Sequence, residues 1–204
     1  YHDAERLIAL GKGKRQTAMF ESSLIIEPID GEGLPFEAGA RVAHADFFPM
    51  FNVPFMYGGG WDSSADAAAE PVVVLTKELN ERLFGGEDSV GKRLTMQGTQ
   101  FLIVGVTDSW EPTPRFFDPI NGAFQEINEM FIPYSLTRAL ELNSTGSDWG
   151  WKSETITSVE QYLNVSESVW IQYFVELESS RDRDEYVAHL DAYVMEQKKL
   201  GRFE

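Results

Sequence analysis

The chain has 204 residues, with 33 Asp and Glu against 17 Lys and Arg, and its formal charge of −16 repels a nucleic-acid backbone and disfavours an anionic membrane surface. Hydrophobic residues at 43% and aromatic residues at 13% allow a packed core, as one large domain or two small lobes, and exclude wholesale disorder. The lack of cysteine excludes thiol catalysis, disulfides and thiolate metal sites.

In chain order, RLIALGKG (6–13) reads as a short strand running into a glycine turn, and KGKRQTAMFE as a polar turn after it. SLIIEPI (23–29) and ARVAHAD (40–46) are two further strands, separated by the turn-rich DGEGLPFEAG. DFFPMFNVPFMYGGGW (46–61) is too rich in Phe for a surface and predicts a short helical turn in the core, ended by three glycines. SSADAAAE (63–70) reads as a polar loop. PVVVL (71–75) is a buried strand by its β-branched run. Thr76 is an N-cap for a helix over 77–84, with Leu79 and Leu83 on one face. KRLTMQ and QFLIVGV, joined at QGTQ, form a hairpin. Residues 107–124 carry three prolines and read as a long loop of the kind that often makes contacts. EMFIPYSLTRALEL predicts a strand, a proline break and a helix from about Ser135, and 143–162 is polar with two tryptophans. SVWIQYFVEL (168–177) is a strand, and 180–199 an amphipathic helix with Tyr186, Leu190, Tyr193 and Val194 on one face. The class is α+β. No run approaches the ~18 apolar residues of a membrane span. No signal peptide opens the chain, YHDAERLIAL begins mid-pattern, and KKLGRFE fits a helix continuing towards a span, so the sequence reads as a piece of something longer.

GGEDSVGKR (85–93) contains the G-x-x-x-x-G-K of a phosphate-binding loop. Three features argue against a nucleotide. The order is helix–loop–strand, the reverse of what puts a helix N-terminus on the phosphates. Arg93 stands where a magnesium-binding Ser or Thr belongs, and Glu87 and Asp88 would repel a triphosphate. Gly86 and Gly91 are then structural, closing a helix and opening a hairpin. His2, His44 and His189 have no metal spacing; His44 and Asp46 share a strand face but read as hydrogen-bonded residues. No G-x-S-x-G marks a hydrolase, and DSSAD and DRDE lack a calcium-loop register. Trp149 and Trp151 would share a face of a strand, either as packing or as a stacking platform. Asn143 and Asn164 head N-x-[ST] sequons, which matter only in a eukaryotic secretory pathway.

VVVLTKELNERLFGGEDSVGKRLTMQGTQFLIVGV resembles the signature segment of the MacB-like periplasmic core domain, the extracytoplasmic part of type VII ABC transporter permeases between their first two membrane helices. The shared pattern is a Val-rich strand, a helix ending in Leu83-Phe84, then Gly86, Asp88 and Gly91-Lys92, and a hairpin closing on Ile103-Val104-Gly105-Val106. ADFFPMFNVPFMYGGGW, MFIPYSLTRAL and AERLIAL resemble further family segments, with Gly59 where the family carries arginine. The resemblance covers roughly 2–200. It implies two lobes: a discontinuous porter-like lobe at 1–57 and 127–204, and an inserted small α/β lobe at 58–126. The polar turn between the first two strands stands where the family's first-lobe helix would be. The resemblance also implies a non-catalytic domain without cofactor, on the periplasmic side of the bacterial inner membrane. Its partners would be the membrane helices and the ATPase domain or subunit of the same transporter, in a dimer, with a periplasmic adaptor or exported substrate outside. The expected contact surface is Trp110, Arg115, Phe116 and Phe117 of the long loop, with Trp149 and Trp151. The residues alone leave open a free-standing extracytoplasmic ligand-binding module using the Trp-rich region.

Overall fold

A computed structural model describes residues 1–29, 33–122, 124 and 128–203; residues 30–32 of the expected turn-rich linker and the lobe boundary at 126–127 lie outside them. The chain begins with a helix, α1 (His2–Leu10), where a strand was expected. Tyr1, Ala4 and Ile8 recur at helical spacing and pack into the core, and Gly11 ends the helix in the left-handed region at φ 59°. The expected polar turn is also corrected. Strand β1 (Arg15–Ile26) starts inside it, and Thr17, Ala18, Met19 and Phe20 are wholly buried where β1 passes from pairing with the strand at 172–176 to pairing with the strand at 36–43.

After β2 (Phe36–Ala43) come α2 (Phe47–Met50), β3 (Phe55–Gly58) and α3 (Ser63–Ala68). The α3 segment was read as a loop; Asp62 caps it, its carboxylate accepting from Ser64 N–H and Ala65 N–H at 2.9 and 3.0 Å. Then follow β4 (Val72–Leu75), α4 (Lys77–Phe84), β5 (Arg93–Met96) and β6 (Thr99–Thr107), as the sequence predicts. The β5–β6 turn has Gln97 and Gly98 both at positive φ, the two-residue turn that matches strand twist. Gly105 lies so close to Gly59 that a Cβ would sit 2.2 Å from the Gly59 carbonyl oxygen. Past β7 (Met130–Pro133), the expected helix shrinks to one 3-10 turn, Tyr134–Leu136. The polar segment holds a helix that was not foreseen, α5 (Val159–Val165), capped by Ser158. β8 (Gln172–Glu176) and α6 (Ser180–Lys199) complete the chain. On α6, Tyr186 is buried and Leu190 and Tyr193 half-buried, while Val194 faces out.

The eight strands among the described residues form one sheet, in the order β2-β7-β4-β6-β5-β1-β8, with β3 on β6. Since β1 also pairs with β2, the ladder of six strands closes on itself. Its narrowest seam is a single register pair, Ile26 opposite Met96. The period-two alternation of strands then sorts the core in two. One face carries Phe20, Leu24, Val42, Leu75, Phe101 and Ile132, against which Leu79 of α4 packs. The other carries Met19, Val74 and Phe131, covered by Phe47 and Phe48 of α2 and by Phe117 from the long loop.

Candidate functional site

The long loop after β6 is held from below by charge. Arg115 and Phe117, expected on the surface, are buried. Arg115 (2% exposed) shares two carboxylates with Arg41 of β2 (1%): Glu21 of β1 and Asp118 (0%). Arg41 Nη2 lies 2.6 Å from Asp118 Oδ2 and 2.8 Å from Glu21 Oε1. Arg115 Nη2 lies 2.7 Å from Glu21 Oε1 and 3.3 Å from Asp118 Oδ2. Asn121 Nδ2 donates to both oxygens of Asp118, and Arg41 Nε donates to Asn128 at 3.1 Å. Two cations and two anions leave the cluster neutral, the condition for holding charge out of water. Burial pulls the Arg41 pKa down, and Asp118 and Glu21 push it back up.

Phe117 stacks on Trp110 at 5.2 Å between centroids and meets Phe47 edge-on at 5.7 Å, with the Arg41 guanidinium 5.5 Å from its centroid. Trp110 is half-buried by this stacking. Its neighbour in sequence, Phe116, turns the other way: 54% exposed, it touches Phe51 edge-on and faces out, with Ile120 also exposed. Of the loop residues that the sequence reading expects on the surface, only Phe116, and part of Trp110, is exposed. Trp110 also lines a cleft of about 490 Å³ with Phe131, Glu78, Asp108, Glu111 and Glu129, an aromatic floor with acidic walls. Glu21, Arg41 and Asp118 were missed. The available signal was Arg41 itself, a charge in the middle of an Ala/Val strand that must find a partner.

Trp149 and Trp151 sit elsewhere. No strand forms there. Trp149 makes only an isolated bridge with Val169, its N–H donating to the Val169 carbonyl at 3.2 Å. The rings lie 6.2 Å apart and are 64% and 42% exposed. At the phosphate-loop look-alike, Gly86 and Gly91 both have positive φ, 82° and 84°. The loop between α4 and β5 wraps the buried side chain of Asn80, whose amide donates to the Glu87 carbonyl at 2.9 Å and accepts from the Ser89 hydroxyl. Lys92 Nζ rests 4.8 Å over the Phe84 ring. His44 accepts the Ala18 N–H at Nδ1 and stacks on Tyr134, with burial lowering its pKa; Asp46 accepts from Gln16 N–H. Asp66 ties α3 to the end of β2, accepting from Ala45 N–H at 2.7 Å and the Trp61 indole at 2.9 Å. Burial, with Asp46 and Asp62 nearby, raises its pKa to about 6. Among the described residues no group of three or more His, Asp or Glu could hold a metal ion.

Residues 10–193 match the MacB-like periplasmic core domain. The chain belongs to that family. Solved structures share the fold of this periplasmic core domain. The periplasmic region of MacB from Actinobacillus actinomycetemcomitans is 14% identical with a TM-score of 0.59, over 95% of this chain and 72% of that one. The extracellular domain of the noncanonic ABC-type transporter YknZ from Gram-positive bacteria is 13% identical with a TM-score of 0.50, over 72% and 73%. A domain of a putative permease protein from Porphyromonas gingivalis is 17% identical with a TM-score of 0.50, over 89% and 70%. No curated protein matches the chain. MacB-like periplasmic core domains are extracytoplasmic domains of ABC transporter permeases. No helix among the described residues is long and apolar enough to cross a membrane.

Proposed function

We propose that this domain is a non-catalytic part of its permease, which couples ATP hydrolysis on a cytoplasmic domain or subunit to export or extraction of a substrate. The observation that carries the proposal is the long loop bolted to β1 and β2 by the Arg41–Arg115–Glu21–Asp118 cluster. Buried ion pairs contribute little net stability, yet breaking one is costly. Their use here is to fix where Phe116 and the acidic cleft stand relative to the sheet. An exposed ring and an acidic cleft on the same loop suit an adaptor or exported substrate that presents apolar and basic side chains. The helices α1 and α6 meet where Arg202 forks onto Asp3 at 2.7 and 2.8 Å, as suits an insertion that leaves and returns to one membrane surface, in a dimeric transporter of the inner membrane. The same reading divides the chain into a porter-like lobe at 1–57 and 127–204 and an inserted lobe at 58–126, joined through the one sheet. Limited proteolysis should then cut first at 143–160, and early cleavage inside 72–84 would contradict the division.

The test is a photo-crosslinking residue at Phe116 in the parent transporter. It should capture a protein, with a yield that changes when vanadate traps the ATPase. A yield no higher than at exposed Glu178, and indifferent to vanadate, would overturn the proposal.

A further inference from the structure

The end of the molecule where α1 and α6 meet treats its charges and its rings in opposite ways. The acids Asp3, Glu167, Glu154 and Asp148 are occupied. Asp3 holds Arg202 and the Tyr193 hydroxyl; Glu167 holds Lys152 at 2.8 Å and accepts Phe203 N–H at 3.2 Å. Glu154 accepts from the Ser166 hydroxyl and Glu167 N–H, and Asp148 from the Tyr162 hydroxyl. The rings are open. Trp149 and Trp151 are the two exposed tryptophans of the chain, and Val169, paired with Trp149, is 48% exposed. Trp151 lies edge-on to Phe203 at 6.5 Å, so the pair adjoins the last turn of α6, where Lys198 and Lys199 stand.

On a surface carrying −16 overall, a patch whose carboxylates Asp3, Glu167, Glu154 and Asp148 are each held by an ion pair or a hydrogen bond, and which presents two indoles, suits a boundary of low polarity. Tryptophan, like tyrosine, is enriched at the membrane–water interface, where an apolar ring and a polar N–H are both satisfied. Electrostatic adhesion is not available to an acidic domain. Contact would come from ring partition at a surface to which the chain is already held, so the inference rests on the permease reading. We infer that Trp149 and Trp151, with Phe203, seat this end of the domain in the interfacial layer of the bilayer, beside the point where α6 approaches it. The pair then sets the domain's tilt over the membrane, while the Phe116 loop remains for protein contacts.

The experiment holds the 204-residue chain on phosphatidylethanolamine/phosphatidylcholine vesicles through a C-terminal hexahistidine and a nickel-chelating lipid. Lipids brominated near the headgroup report contact by quenching tryptophan. With two of five tryptophans in the interface, up to two-fifths of the emission should be lost. The loss should be smaller with bromine deep in the acyl chains. It should vanish in W149F/W151F, whose positions are exposed and whose circular dichroism should match the parent. No quenching of the tethered chain would overturn the inference and leave the pair as a protein- or ligand-binding surface. Quenching that survives W149F/W151F would also overturn it, by assigning the contact to another face. The tether supplies the membrane, so either failure leaves the permease reading standing; a cytoplasmic location of the domain in cells would instead remove the basis of both.

Discussion

Residues 72–107 and 108–122 follow one another in the chain and are held in opposite ways. The first stretch is held by its own backbone. β4 and β6 pair in parallel, α4 is capped by Thr76, and the hairpin turns on Gln97-Gly98. The cap and the hairpin act between residues a few positions apart, and the parallel pair, with Val72 opposite Leu102, lies within the stretch itself. The second stretch has no ladder. It is held by Phe117 under α2 and by ions from strands far away in sequence, Glu21 and Arg41. Local devices make a stretch that tolerates single losses. A loop hung on a buried ion cluster fails when one ion goes, and it stands still until then.

The largest expected effect follows from that contrast. Asp118→Ala leaves two guanidinium groups sharing one carboxylate out of water, and should cost about 3–5 kcal/mol in urea unfolding. A loss under about 1 kcal/mol, the size of a surface pair, would show that the cluster is solvated and the contrast false. Asp66 gives a pH-dependent counterpart. Its folded-state pKa of about 6 lies above the ordinary value of 3.8, so its contribution is fully present below pH 4 and is lost as pH rises through 6. Stability measured from pH 4 to 7 should fall more steeply in the parent than in Asp66→Ala; parallel curves would contradict the shift. In the locally held stretch, Gly86→Ala and Gly91→Ala put a side chain at φ 82° and 84° and should each cost on the order of 1 kcal/mol or more. No close neighbour crowds either position, so the cost is backbone strain alone, and unchanged midpoints for both would refute it. Thr76→Ala should cost about 1 kcal/mol, the usual worth of an N-cap; no change would mean that its 3.3 Å bond to Leu79 N–H contributes nothing. The smallest expected effect is none: Mg-ATP should give no calorimetric heat, whereas micromolar binding abolished by Lys92→Ala would restore the phosphate-loop reading.

The same contrast decides what could be read from the sequence. Thr76, Leu79, the glycines and the hairpin follow short-range rules, so 71–106 was legible residue by residue. RLIAL was not, because a five-residue apolar run fits a strand or one side of a helix, and only packing of Tyr1, Ala4 and Ile8 decides. KRQTAM looked like a turn because its residues pair with strands far away in sequence, Arg15 with Glu176 and Met19 with Ala43. SSADAAAE was misread although Asp62 is a good cap. At the candidate site, proline and aromatic content single out the loop, and Phe116 is exposed as expected. The inward turn of Phe117 and Arg115 was not, since their partners, Phe47, Glu21 and Arg41, come from other elements. Nor could sequence tell that Trp149 and Trp151 stay exposed.

The central claim, that this chain stands outside the cytoplasm as part of a permease, is tested most directly by topology in the full-length protein. Alkaline phosphatase and green fluorescent protein are inserted in turn near residues 64 and 145. Active phosphatase and dark fluorescent protein at both positions is the predicted result; fluorescence without phosphatase activity would contradict it.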